Sequence, residues 1–343
     1  MNVMLLAAGE GTRLRPHTLV RPKPTIPFLN IPLAAYPLAL LEDVKVDRLV
    51  VNTFHLPTKI IDMFIHLNHG ARKLHFSHEI NQILGSGGGL GMAREYFRNQ
   101  GDLILMNADE VILPFERGML AKALAFHKQN KAFCTLLTKD HAGVGTKFGG
   151  VWLNHKEEVC GFGKETPNED AIVAEHFCGV QILSEKVFEY LPEATPANIL
   201  YDTVFKAMQG GALVQRFKAD CHWYETGNSH DFLQATGEVL NILADKDSKS
   251  YARTHLQNTL NKYGKETSVL ESRSEAIMLR SVSAKVSSSA VLEGFVVVGT
   301  ESVIAEGCKL KNVTLADHVE LVEQTHAENE IFLQSNDVSI TSE

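Results

Sequence analysis

Between positions 13 and 23 the chain carries four cations, Arg13, Arg15, Arg21 and Lys23, and the surrounding stretch 3–24 sets only one acid, Glu10, against them. That is a local balance of +3 in a protein of formal net charge −8. Just ahead lie Ala7, Ala8, Gly9 and Gly11, small residues that let backbone come close to a ligand. Guanidinium forks and turn N–H groups both suit phosphate oxygens, so the stretch reads as a phosphate cradle. A second chemical candidate is Asp109, which closes the largely apolar run 102–109. A carboxylate there has two physical uses: it ligates a hard cation such as Mg2+, or it caps a helix.

The elements that must present these groups follow from patterning. Residues 3–6, 47–52, 102–109 and 132–138 have the length and apolar content of buried strands. Helical spacing is predicted over 33–41, 58–68, 115–130 and 232–242. Strands alternating with helices predict an α/β fold, a Rossmann-like, mostly parallel sheet with helices on both faces. Ligands of such sheets gather at the carboxyl ends of strands, which brings Asp109 next to the cradle. Between these elements, 85–91 reads Gly-Ser-Gly-Gly-Gly-Leu-Gly. Side chains are being kept out of some space there, unless the segment is simply a flexible loop.

Other phosphate-binding patterns fit the cradle less well. A dinucleotide fingerprint needs a third glycine where Leu14 stands, and an acid about 20 residues on, near Asn30. A P-loop needs Gly-Lys-Ser/Thr, yet both Gly-Lys pairs are followed by Glu165 and Glu266. A basic surface turn after a core strand remains the bland alternative. His66, His69, His75 and His78 match no metal-ligand spacing and read as solvated loop histidines.

Composition narrows the class. At 343 residues the chain exceeds one average domain. Its 44% hydrophobic and 22% charged residues are ordinary for a globular protein. The acidic balance argues against a general binder of nucleic acid or anionic membrane, and no apolar run reaches the ~18 residues of a span. The N-terminus has no basic region or cleavage site, and the five cysteines are widely spaced without C-x-x-C. A cytoplasmic protein without disulfide framework or zinc ribbon is expected.

The stretch Ala7-Ala8-Gly9-Glu10-Gly11-Thr12-Arg13-Leu14, followed by Pro22-Lys23-Pro24, resembles the signature of the sugar-1-phosphate nucleotidyltransferases. The resemblance covers about residues 1–240 and implies further roles. Leu6, Ala7, Ala8, Gly9, Gly11, Thr12 and Arg13 would hold the nucleotide, with Gln82 and Gly85, in and just before the glycine-rich segment, at the base. Asn107-Ala108-Asp109 resembles the family's Asn-Gly-Asp, whose Asp holds catalytic Mg2+. Trp223-Tyr224-Glu225-Thr226-Gly227 resembles Trp-x-Asp-x-Gly, which makes Glu225 the second metal ligand in place of Asp. Gly149, Gly179 and the pair Lys164-Glu165 fall at the family's sugar-binding positions, the pair in reversed order. The implied catalytic residues are Arg13, Lys23 and Asp109, the cofactor Mg2+, and the substrates an NTP and a sugar 1-phosphate. GTP with mannose 1-phosphate is the first expectation, and UTP or dTTP with glucose or amino-sugar 1-phosphates comes next. The reversed pair and Glu225 motivate an alternative: a catalytically weak nucleotide-sugar-binding or regulatory subunit on the same fold.

Beyond a catalytic domain at 1–240, residues 241–280 read as a linker with a surface helix over 251–263. From Ala284 the pattern changes. Val286, Leu292, Val298, Ile304 and Leu310 recur every six residues, shadowed by Val291, Val297 and Val303. Hexapeptide periodicity predicts a short left-handed parallel β-helix over 281–325, and the resemblance extends to it because many members of the family carry such a tail. It would serve assembly or stability, which leaves a homo-oligomer open. The final segment, 326–343, is read as a frayed acidic tail.

Overall fold

The computed structural model describes residues 1–248, 250–273 and 275–335. Its central strand is Asn2–Leu6, flanked in parallel by Arg48–Thr53 on one side and Leu103–Asn107 on the other. Lys73–His78 extends the parallel set. The long strand Val173–Leu183 then pairs antiparallel with Leu103–Asn107 and carries the sheet on to Cys134–Lys139 and Gly150–Leu153. The parallel strands are continuous apolar runs because both of their faces are covered. Val3, Leu5, Leu49, Val51, Ile104 and Met106 enter one core, while Met4, Val50, Leu103 and Leu105 enter a second. Helices Pro57–His66, Met119–Asn130 and Ser229–Ala244 contribute to the first core, and Gly85–Met92 and Phe205–Gln209 to the second.

Two elements depart from readings the sequence allowed. The glycine-rich segment is itself a helix, Gly85–Met92, so the flexible-loop alternative falls away while the exclusion of side chains stands. Its glycines are required by a close neighbour. A Cβ on Gly88 or Gly91 would lie 2.2 Å from the Thr195 carbonyl oxygen or 2.0 Å from that of Pro192. The helix is thus pressed against the backbone of 192–199 at a distance no side chain allows. The second difference is the helix Tyr251–Tyr263, expected at the surface. It buries Ala252, His255, Leu256, Thr259, Leu260 and Tyr263, a stripe at i, i+3, i+4, i+7 spacing that its polar average conceals.

Beyond it the chain returns to strands. Glu275–Ser281, Val291–Val298 and Lys309–Leu315 pair in parallel, with partners 18 residues apart, as Glu275 with Glu293 and Val291 with Lys309, until a register shift after Glu293 makes it 17, as Val298 with Leu315. Lys285–Val286, Val303–Ile304 and Glu320–Leu321 form a second parallel ladder. Leu292, Val298, Ile304 and Leu310 are buried, as the six-residue period requires. The pairing runs on through His326–Glu328 and Ile331–Phe332, past the point where the sequence pattern fades. Residues 336–343, the end of the expected tail, lie outside the described residues. These strands share the first core with the sheet, and the Phe295 ring packs directly over Gly237 of helix Ser229–Ala244.

Candidate active site

The turn leaving Asn2–Leu6 stands at the carboxyl end of the central strand. The N–H groups of Ala8, Gly9, Glu10 and Gly11 have no hydrogen-bond partner among the described residues. Four neighbouring donors without acceptors are what an anion-binding turn presents. Gly11 sits at φ 63°, and a Cβ there would meet the Thr18 methyl at 2.8 Å. Thr18 Oγ1 donates to the Gly11 carbonyl at 2.9 Å, which pins the turn to the following segment.

Lys23 begins the short 3-10 turn Lys23–Thr25 and is only 9% exposed. Its Nζ lies 2.7 Å from Asp109 Oδ2. Asp109 follows the Leu103–Asn107 strand, so the sheet itself delivers it to the cradle. Arg13 extends its guanidinium to within 3.7 Å of Glu225 Oε1. Glu225 follows the strand Cys221–Tyr224, which pairs antiparallel with Val111–Pro114, placing Tyr224 opposite Val111. The Thr226 hydroxyl donates to the Asp109 carbonyl at 3.1 Å. Two cation–carboxylate pairs are therefore assembled from three distant parts of the chain. Gly227 is needed here: a Cβ would fall 2.1 Å from Glu225 Oε1 and 2.8 Å from the Arg13 guanidinium.

One acid that the sequence gave no reason to single out belongs to the same cluster. Glu110 accepts from Asn107 Nδ2 at 2.8 Å and from Trp223 Nε1 at 2.7 Å. Desolvation pushes its carboxyl up to about 7, the Asp109 charge adds to the rise, and the two hydrogen bonds and Lys23 oppose it. Gly179 lies directly above it in a bulge of Val173–Leu183 at φ 74°, where a Cβ would be 2.5 Å from Glu110 Oε1. An acid next to an acid is the only signal the sequence offered. Behind this group, His176 is packed against Trp223 with ring centroids 4.0 Å apart. Burial, with His141 and Lys139 nearby, holds its ring down to about 4.

The remaining predicted residues spread to either side. Gly85 opens the glycine helix at φ 68°, and Gln82 is exposed in the loop before it. Gly149 faces the Tyr201 hydroxyl, 3.3 Å from its Cβ position, and Tyr201 is half exposed. Lys164 and Glu165 follow the strand Val159–Gly163 as exposed residues and form no ion pair with the four clustered charges. Among the described residues no three His, Cys, Asp or Glu side chains converge as a self-sufficient metal cage. None of the described helices is long and apolar enough to cross a membrane.

The cluster stands at the carboxyl ends of strands in an α/β sheet, where such folds bind their ligands. Residues 2–242 match the nucleotidyl transferase family, and the chain belongs to that family. It is 27% identical over 249 residues to a UTP–glucose-1-phosphate uridylyltransferase of a Synechocystis species, an alignment spanning 70% of this chain and 63% of that relative. It is 24% identical to a mannose-1-phosphate guanylyltransferase of Mycobacterium tuberculosis, over 93% of this chain and 80% of the relative. The crystal structure of HddC from Yersinia pseudotuberculosis shares the fold, with a TM-score of 0.55 and 22% identity over 69% of this chain and 98% of that one.

Proposed function

We propose that the chain transfers a nucleotidyl group from an NTP to a sugar 1-phosphate, releasing pyrophosphate. The carrying observation is the pairing of Lys23 with Asp109 and Arg13 with Glu225 beside a turn whose N–H groups are unused. A phosphate oxygen of the sugar 1-phosphate attacks the α-phosphorus in line. The new O–P bond forms as the bond to the β-phosphate oxygen breaks, and pyrophosphate leaves with that electron pair. No side-chain nucleophile is needed, so positioning and neutralisation are the protein's share. Lys23 meets the charge building at the α-phosphate and the sugar phosphate, and Arg13 and the Ala8–Gly11 N–H groups hold the triphosphate and the departing pyrophosphate.

Asp109 and Glu225 offer hard oxygen donors beside the phosphate turn, and two carboxylates plus substrate phosphates are the usual company of Mg2+. They fit as its holders. When bound there, Mg2+ would supply positive charge to offset that of the substrate phosphates. Until substrate arrives, Lys23 and Arg13 balance these carboxylates, so no uncompensated charge is held at the site.

The pair of GTP and mannose 1-phosphate is favoured by the mycobacterial relative, whose name carries that activity and whose alignment spans both the sheet and the C-terminal strands. UTP with glucose 1-phosphate is the second candidate, motivated by the cyanobacterial relative's name. Gly149, Gly179, Lys164 and Glu165 would receive the sugar, and Gln82 and Gly85 the base. The 17–18-residue spacing of the C-terminal strands supports about three hexapeptides per coil of a short left-handed β-helix that stabilises the catalytic unit. A panel of NTPs against sugar 1-phosphates, read by pyrophosphate release, tests the assignment. Turnover with at least one pair is expected, and binding without turnover would establish the regulatory-subunit alternative.

A further inference from the structure

A buried chain of hydrogen bonds joins the two backbone segments that would bracket the nucleoside. The Ala7 N–H donates to Asn52 Oδ1, Asn52 Nδ2 donates to Glu79 Oε1, and the Leu84 N–H donates to Glu79 Oε2, each at 2.7 Å. Asn52 is 2% exposed and Glu79 1%. Both stand at the carboxyl ends of parallel strands, Asn52 in Arg48–Thr53 and Glu79 directly after Lys73–His78. Glu79 makes no ion pair among the described residues; oriented donors meet both of its oxygens beside the N-terminus of the glycine helix, whose N-cap is Leu84. Gly89 completes the arrangement. A Cβ there would lie 2.9 Å from both Asn52 Nδ2 and Glu79 Oε1.

We propose that Asn52 and Glu79 are positioning residues for the nucleoside. They set the gap between the Ala7–Ala8 turn and the Leu84–Gly85 helix start, and thereby base and ribose binding, without touching substrate themselves. The proposal rests on the nucleotide assignment above. It has a consequence for base recognition: the N–H groups of Ala7 and Leu84 are already used, so backbone donors to a base would come from neighbours such as Ala8 and Gly85.

The bond polarities supply the test. Glu79→Gln turns one carboxylate oxygen into a donor, so it loses either the Asn52 or the Leu84 bond. Asn52→Asp sets a second carboxylate against Glu79. The double variant Asn52→Asp/Glu79→Gln reverses the middle bond only: the new amide donates to the new carboxylate, and both backbone N–H groups keep their acceptors. Titration calorimetry of the full chain with GTP and with UTP, alongside KM for each substrate and urea unfolding, separates the outcomes. Each single variant should weaken nucleotide Kd and KM about tenfold or more, with sugar 1-phosphate KM moving less than about twofold. The double variant should return nucleotide Kd to within about threefold of wild type, and Gly89→Ala should behave as the single variants do. Singles that bind nucleotide normally, singles that raise both KM values alike, or a double variant no better than the worse single would each overturn the proposal. Should a single variant fail to fold, the double variant and Gly89→Ala decide. A wild type that binds neither nucleotide would remove the nucleotide assignment and this proposal together. A wild type that binds and turns over beside unaffected variants would remove this proposal alone.

Discussion

Replacing Lys23 by methionine keeps the length and most of the volume of the side chain but removes the charge that lies 2.7 Å from Asp109 Oδ2. The Lys23 side chain is 11% exposed and that of Asp109 30%, so the loss acts on the site more than on the fold. Freed of its partner, Asp109 recovers solvent on its open side, and unfolding should weaken by no more than about 1–2 kcal/mol, discounted for screening. Catalysis should lose far more. Removing one preorganised group aimed at developing charge costs about 3–4 kcal/mol, or roughly 10²–10³ in rate. Because Lys23 is assigned to charge that builds only during transfer, kcat and kcat/KM should fall together. Initial-rate pyrophosphate release over both substrates, paired with urea unfolding, measures the two effects separately. A kcat within about tenfold of wild type would refute the assignment, since that leaves under about 1.4 kcal/mol for the contact.

Glu225→Gln should raise the Mg2+ concentration for half-maximal rate at least about tenfold, and Glu225→Asp should restore most of the loss, because the carboxylate rather than its length supplies the charge. Chelation by EDTA should abolish turnover and added Mg2+ should return it, read in the same assay. Gly179→Ala forces a Cβ to 2.5 Å from Glu110 Oε1 at φ 74°, so urea unfolding should show a loss of about 1–3 kcal/mol, and the KM for sugar 1-phosphate should rise. His176 supplies a pH test. Its folded value, about 4, lies below that of a free imidazole, so the unfolded chain takes up its proton first as pH falls. Stability should therefore be full above pH ~6.5 and decline towards pH ~4 by up to about 3 kcal/mol, and His176→Phe should flatten that slope in urea midpoints measured across the range.

The cradle, Asp109 and Glu225 were legible because each sits at the end of a short apolar strand or in a run of fixed spacing, and the sheet converts strand ends into neighbours. Glu110 was not, because its role depends on Trp223 and Gly179, which reach it only through strand pairing. Asn52 and Glu79 carried no signal for the same reason: a buried amide and a buried acid acquire meaning only when parallel strands bring them together. The glycine-rich run was legible as a place that excludes side chains, but not what excludes them, because the 192–199 backbone pressed against it lies more than a hundred residues away in sequence. The buried helix Tyr251–Tyr263 was concealed by averaging, since its apolar stripe is narrow within a polar sequence.

That glycine helix also bears on the order in which the protein assembles. Five of the eight residues of Gly85–Met92 are glycine, each disfavouring helix by about 1 kcal/mol relative to alanine, roughly 5 kcal/mol in all. An isolated segment of this composition stays unwound. Its turns form only once the 192–199 strip arrives, more than a hundred residues later in the chain, with Gly87 N–H bonded to the Ala197 carbonyl at 2.8 Å. Contacts of such sequence separation are slow to close, so the glycine helix should gain amide-exchange protection after the central strands and in step with 192–199. The glycine helix and the 192–199 strip are then a single cooperative unit in time as well as in space.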